Sequence, residues 1–337
     1  MDRSLITPPS IRKGDTIAII SPATEVKPHW IRGAVAELER RGYHPVVMPH
    51  ALGPRCGSFA ASDAQRLADL REAISNPGIR AILCARGGYG CIHLLSKQLQ
   101  KSVADNPKWI IGFSDISALH ALWQKAGVKS LHCSMAKQLT LFDLESHEPD
   151  IIDYSRNEIP TSDELPLLKE CVGNMFDILE GRGNGQVYSA PSPEGAICGE
   201  ADGEITGGNL AVLNGLASTP WDILDKEYLR GKILFLEDIG EKIYQVERML
   251  TRLQLAGVFE NVAGIVFGQF TEYQPDRNFS TMEEMISTRC REWGVKCPVA
   301  LSFPIGHTAV NRPIPEGAKA LLSVTPAKTS LTISFGR

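Results

Sequence analysis

Short apolar runs alternate with amphipathic stretches through the first half of the chain. Thr16-Ile17-Ala18-Ile19-Ile20 is a β-branched run closed by Ser21-Pro22, and it reads as a strand. Residues 28–41 place Ile31, Val35 and Leu38 on one face, and Gly42 stops the helix they predict. Residues 45–48 form a second short strand. Ser62-Asp63 can cap a helix reaching Ser75, with Leu67, Leu70 and Ile74 at helical spacing. Residues 80–84 and 109–111 are the third and fourth strands, and residues 116–125 the next helix. This rhythm predicts parallel βαβ units with helices on both faces of a sheet. Ligands in such sheets bind at the carboxyl ends of the strands. Two loops fall there, Arg86-Gly87-Gly88-Tyr89-Gly90 and Gly112-Phe113-Ser114-Asp115.

The pattern weakens over residues 146–165, a polar stretch with Pro149 and Pro160 that reads as a connection. Beyond it the element types mix. Residues 174–179 predict a short helical turn, 199–206 a strand running into a Gly207-Gly208 turn, and 209–217 a helix. Residues 232–236, 262–267 and 331–335 read as strands, and 244–256 as a strongly amphipathic helix. No internal repeat is visible.

At 337 residues the chain suits two domains, each long enough to bury its own core. The hydrophobic fraction of 43% and net charge of −4 fit a globular protein with no electrostatic case for nucleic acid or an anionic membrane. No apolar run approaches a membrane span, and the first residues lack a signal-like apolar core. The eight cysteines are scattered, without a CxxC pair or a ligand-like cluster with His, so they read as free thiols in a reducing cytoplasm.

Four segments carry candidate chemistry. A nucleophilic serine works best on a tight strand-to-helix turn, where helix N-terminal amides meet a developing oxyanion. Gly112-Phe113-Ser114-Asp115-Ile116 fits in part, since Ile116 replaces the second glycine of GxSxG. The alternative is that Ser114 or Asp115 only caps the following helix. The glycines of 86–90 let backbone amides approach a ligand, as half of an oxyanion hole, as a phosphate cradle, or simply as a turn. Arg86 beside them is a candidate carboxylate anchor. Glu237, Asp238 and Glu241 follow an apolar strand, where one carboxylate can orient an imidazole while the others cap or solvate the next helix. His307, after Pro304 and Gly306, has the best setting among the histidines for a general base.

Taken together, these segments resemble the LD-carboxypeptidase family, the serine peptidases that also include the microcin C self-immunity proteins. The matching segments include Lys13-Gly14-Asp15, Ser21-Pro22-Ala23, Gly57-Ser58-Phe59-Ala60-Ala61-Ser62-Asp63 before the Arg66 helix, Arg86 to Gly90 and Pro107 to Leu119. Thr206 to Leu210, Leu236 to Glu241 and Ile305-Gly306-His307 continue the match. The resemblance implies a catalytic triad of Ser114, Glu237 and His307, with an oxyanion hole from the amides of Gly87, Gly88 and Asp115. It implies an α/β fold: an N-terminal flavodoxin-like parallel-sheet domain (residues 1–145), a linker (146–170) and a smaller β-rich α/β C-terminal domain (171–337). It further implies a cytoplasmic homodimer that needs no cofactor or metal and removes the terminal D-alanine from murein tetrapeptides in cell-wall recycling. One departure is His132-Cys133-Ser134-Met135, where the family often has His-Gly-Pro. Two other readings stay open: a microcin C-type self-immunity deacylase, and a non-catalytic α/β binding protein that uses the glycine loop.

Overall fold

The structure is a computed structural model, and it describes residues 4–140 and 163–335. The chain divides into two compact units, Met1–Arg182 and Gly183–Arg337.

The first unit alternates β1 (Thr16–Ile20), α1 (Pro28–Arg40), β2 (His44–Val47), α2 (Asp63–Ser75), β3 (Ile79–Cys84), α3 (Lys97–Asp105), β4 (Trp109–Gly112), α4 (Ser117–Lys125), β5 (Ser130–His132), α5 (Ala136–Leu139) and α6 (Glu164–Leu179). Its strands pair in the order β2-β1-β3-β4-β5, all parallel. That is the flavodoxin-like order, whose reversal lies between β1 and β3. The loops after those two strands and after β4 therefore line one end of the sheet. The sheet core is apolar: Ala18, Ile19, Ile82 and Ile110 are fully buried. Helix α2 starts as its sequence predicts, on a capping box between Ser62 and Gln65.

Helix α6 departs from the expected single turn at 174–179. It starts at Glu164 and holds Pro166 in its first turn, where a missing N–H costs no intrahelical bond. The expected linker lies outside the described residues as far as 162, and its part from 164 onward is helix. Phe176 of α6 stacks on Tyr43 at 5.6 Å between ring centroids, and the Arg41 guanidinium lies 4.1 Å above the Phe176 ring. These contacts tie α6 to the first unit, so the division falls after Arg182 rather than before 171.

The second unit contains β6 (Val187–Pro191), β7 (Gly199–Asn209), α7 (Leu210–Asn214), β8 (Ile233–Ile239), α8 (Ile243–Leu255), β9 (Gly264–Thr271), α9 (Met282–Glu292), β10 (Val299–Ala300), β11 (Ile314–Glu316), β12 (Lys319–Val324) and β13 (Lys328–Ser334). Seven strands form one mixed sheet in the order β10-β9-β8-β7-β12-β13-β6. The β7 to β10 half is parallel and the remainder antiparallel. Its core gathers Ile205, Phe235, Val266, Phe303, Leu322 and Ile333.

Gly207-Gly208 is not a turn. Both residues lie inside β7, opposite Phe235 and Leu236 of β8. A Cβ on Gly207 would sit 1.8 Å from the Phe235 carbonyl oxygen. The glycines allow a close backbone approach within the sheet instead of a change of direction.

Candidate active site

Strand β4 ends at Gly112, Phe113 stays extended, and Ser114 takes a positive φ of 66° before a single 3-10 turn leads into α4. A non-glycine residue in that region carries about 1–3 kcal/mol of strain, which the packing around the turn must offset. A Cβ on Gly112 would meet Ile116 at 3.0 Å and Cys84 at 3.1 Å, so the tightness of the turn depends on this glycine. The Gly112 carbonyl accepts from Cys133 N–H at 3.1 Å and from His120 Nε2 at 2.9 Å. Burial lowers the His120 pKa to about 3, so the ring is neutral and donates from Nε2.

Neither Ser114 nor Asp115 caps α4, whose N-cap is Ile116. Asp115 Oδ2 instead accepts the Cys91 N–H at 2.8 Å, just past the glycine loop. The loop is held from several sides. Tyr89 N–H donates to Thr24 Oγ1 at 3.1 Å. The fully buried Arg66 donates through Nη1 to the carbonyls of Gly90, at 3.1 Å, and of Pro22. It also pairs with Asp63 and lies 4.9 Å above the Phe59 ring. One guanidinium thus joins the loops after β1 and β3. A Cβ on Gly87 would lie 2.7 Å from Ser114 Cβ, and one on Gly88 would lie 2.1 Å from Thr24 Oγ1. Among the described residues the amides of Gly87 and Gly88 donate to no backbone carbonyl. Arg86 Nη1 donates to the Glu25 carbonyl at 3.1 Å.

In the second unit, Glu237 lies near the carboxyl end of β8 and is fully buried. His307 lies on the loop between β10 and β11 and donates through Nδ1 to Glu237 Oε2 at 2.7 Å. Two glycines make room for this contact. A Cβ on Gly306 would come 2.7 Å from Glu237 Oε2, and one on Gly268 would sit 2.6 Å from the Ile305 carbonyl and 3.2 Å from Glu237 Cβ. Gly306 N–H donates to Asn311 Oδ1, and Gln269 N–H to the Ile305 carbonyl, which fix the loop on β9. Burial pulls the His307 pKa down, but the Glu237 carboxylate outweighs it, and the net shift is upward. Nδ1 is committed to Glu237, which fixes the orientation of the ring and places a proton on Nδ1.

The neighbouring Asp238 serves another purpose. It accepts from Asn209 Nδ2, Ala211 N–H and Ile239 N–H, each at 2.9 Å, and so anchors the start of α7. Burial first, and then the Glu237 charge, raise its pKa to about 7. Of the three carboxylates in this segment, Glu237 alone is hydrogen-bonded to the imidazole among the described residues.

Two groups therefore form. Ser114, Asp115, Gly87, Gly88 and Arg86 lie around the carboxyl ends of β3 and β4, and Glu237 and His307 meet in the second unit. Sequence reasoning missed Arg66, Thr24 and Asp238 as supports. Arg66 had a legible signal, because it shares the apolar face of α2 with Leu70 and Ile74. Among the described residues, no three His, Cys, Asp or Glu side chains are grouped to hold a metal ion, and no helix is long and apolar enough to cross a membrane.

Residues 17–133, with the serine turn and glycine loop, match the LD-carboxypeptidase N-terminal domain, and residues 202–322, with Glu237 and His307, match its C-terminal domain. The chain belongs to the LD-carboxypeptidase family. It is 31% identical to the probable murein peptide carboxypeptidase of Bacillus subtilis, over 96% of this chain and 93% of that protein. It is 28% identical to the murein tetrapeptide carboxypeptidase of Pseudomonas aeruginosa, over 91% and 92% of the two chains. The microcin C7 self-immunity protein MccF of Escherichia coli is 26% identical over 96% and 94%. Among solved structures, the muramoyltetrapeptide carboxypeptidase of Oxalobacter formigenes aligns with a TM-score of 0.74 at 25% identity, covering 95% of this chain and 98% of that one. Both halves of an LD-carboxypeptidase are thus present, and peptidase chemistry is what the family carries.

Proposed function

We propose that this LD-carboxypeptidase is a serine enzyme that removes the terminal D-alanine from murein tetrapeptides, with Ser114 as nucleophile, His307 as base and Glu237 as the acid of the triad. The observation that carries this reading is the buried hydrogen bond between Glu237 and His307 Nδ1, which raises the basicity of the imidazole. The positive φ of Ser114 on a turn packed against Gly87 supports the nucleophile assignment. His307 Nε2 takes the Ser114 hydroxyl proton as Oγ attacks the scissile carbonyl. The proton then passes to the leaving amine of D-alanine, and water hydrolyses the acyl-enzyme by the same route in reverse. The amides of Gly87, Gly88 and Asp115 stabilise the tetrahedral oxyanion, each such donor contributing about 2.7–4 kcal/mol. Arg86 binds substrate carboxylate. We assign the enzyme to the cytoplasm, as a homodimer, in keeping with its eight scattered cysteines and with the family resemblance.

The test is mass-spectrometric loss of one alanine from purified murein tetrapeptide. Turnover by wild type and none by Ser114→Ala supports the assignment. Release of alanine by both proteins would remove Ser114 from it. The likeness to MccF favours a second reading, hydrolysis of an aminoacyl-nucleotide conjugate. Parallel turnover of a tetrapeptide and an aminoacyl sulfamoyl adenosine separates the two. A non-catalytic binding protein would release no product from either and leave a fluorophosphonate probe unreacted.

A further inference from the structure

A single peptide group in the first unit is gripped at both ends by buried charged side chains. The Gly90 carbonyl accepts from Arg66 Nη1 at 3.1 Å, and the Cys91 N–H, the other half of the same peptide, donates to Asp115 Oδ2 at 2.8 Å. Arg66, Asp115 and Cys91 are all buried. The peptide plane is thus held along its own dipole, with a cation at the oxygen and a carboxylate at the hydrogen. Burial raises the Asp115 pKa, while hydrogen bonds from the Cys91 N–H and thiol, and the charges of Arg66 and His93, oppose that rise. This carboxylate does not cap α4 and has no part in the chemistry proposed above.

The gripped peptide closes a loop that holds itself poorly. Gly88 and Gly90 take φ values of 115° and 126°, and a Cβ on Gly87 would lie 2.7 Å from Ser114 Cβ. Glycines lose more conformational freedom on folding than other residues, so the direction of these amides is set by what fastens the loop from outside. At its start Ala85 N–H donates to the Ile20 carbonyl at 2.8 Å, and in its middle Tyr89 N–H donates to Thr24 Oγ1 at 3.1 Å. At its end stand Arg66 and Asp115. A Cβ on Gly90 would meet Arg66 Nη1 at 2.9 Å, so this glycine admits the guanidinium. Asp115 differs from the other fastenings because it belongs to the serine turn itself. Its backbone follows Ser114, and its side chain reaches Cys91, which opens a 3-10 turn over Cys91–Leu94. One residue therefore acts as a strut between the serine and the far end of the loop.

We propose, resting on the hydrolase reading above, that the Asp115 carboxylate is a positioning group for the oxyanion hole. It fixes the Gly90–Cys91 peptide against Arg66 and so holds the amides of Gly87 and Gly88 in place beside Ser114. The hydrogen-bond acceptor, rather than the charge, does the positioning, because a neutral amide oxygen at the same place can still take the Cys91 N–H. The charge acts on stability, as a counter-ion to the buried Arg66.

The experiment measures kcat and KM for murein tetrapeptide, the rate of Ser114 labelling by a fluorophosphonate, and Tm, in Asp115→Ala and Asp115→Asn shown to be folded by circular dichroism. Ala removes the acceptor: kcat falls about 10²-fold, KM changes by less than about twofold, and labelling slows with kcat. Asn keeps the acceptor and loses the charge: kcat recovers at least about tenfold over Ala, although both variants melt below wild type. A purely structural role would not return activity without returning stability. A kcat in Ala within about threefold of wild type overturns the proposal, and so does a loss that Asn fails to recover or one confined to KM. If Ala does not fold, Asp115→Glu takes its place, since it keeps the charge and displaces the acceptor. A Glu variant slower than Asn supports the proposal, and one as fast or faster refutes it. If wild type releases no alanine, the hydrolase reading fails separately. Hydrogen exchange at the amides of residues 86–91 then decides the clamp: faster exchange in Ala than in Asn supports it, and equal exchange refutes it.

Discussion

Glu237 Oε2 accepts a 2.7 Å hydrogen bond from His307 Nδ1 although the two residues are 70 positions apart. The carboxylate is fully buried and the imidazole side chain only 14% exposed. A charge so placed acts through little solvent, so it controls both the tautomer and the basicity of the ring.

Replacing Glu237 with Gln removes the main influence that raises the His307 pKa, while burial, which lowers it, remains. A general base works deprotonated, so wild-type kcat/KM falls as pH drops through the raised pKa. In Glu237→Gln the midpoint of that acid limb moves to lower pH, and kcat falls by about 10²–10⁴. A pH–rate profile from pH 5 to 9 reads both effects. An unmoved midpoint would show that another group controls the limb.

Gly87→Ala tests the contact between the glycine loop and Ser114, the proposed nucleophile. The added methyl would lie 2.7 Å from Ser114 Cβ and 3.0 Å from Oγ, so the serine turn or the loop must shift. A displacement of this size costs about 10²-fold in kcat. Steady-state kinetics alongside a thermal melt should show the loss of kcat in a protein that remains folded.

Arg66 ties the glycine loop to the loop after β1 from a fully buried position. Arg66→Met removes the donors to the Gly90 and Pro22 carbonyls in a fully buried place. Losing these charged hydrogen bonds destabilises the first unit by about 3–5 kcal/mol. In the protein that folds, kcat drops while KM for tetrapeptide stays near wild type, and Arg66→Lys recovers part of it. A KM effect without a kcat effect would assign Arg66 to substrate binding instead.

Asp238 should shape the pH dependence of stability. Its pKa, raised to about 7, exceeds the ordinary value of about 3.9, so the folded state keeps a proton that the unfolded chain has released. This contribution is full below about pH 4 and declines as pH rises towards 7. Asp238→Asn, which cannot titrate, should flatten that decline in urea unfolding measured from pH 4.5 to 8. Parallel wild-type and variant curves would rule the effect out.

Gly207→Ala should disrupt the second unit, because its methyl would lie 1.8 Å from the Phe235 carbonyl oxygen inside the sheet. Several kcal/mol are lost, equivalent to a fall in Tm of about 10 °C or to insoluble protein. A melt within a few degrees of wild type would contradict the close approach of β7 and β8.

Local chemistry by itself determined most of the first unit and the types of the reactive groups. The β-branched run Thr16–Ile20, the Ser62 cap and the glycines at 87, 88 and 112 announce their roles because strand propensity, capping and freedom from a Cβ act over a few residues. Tertiary structure decided the rest. It put Pro166 inside the first turn of a helix, and it turned Gly207-Gly208 from an expected turn into a close contact between strands. It also chose Glu237 over Asp238 for the imidazole and buried Arg66 between two loops. Those outcomes depend on which distant segments become neighbours and how much water they exclude, and neither is encoded in any short stretch of chain.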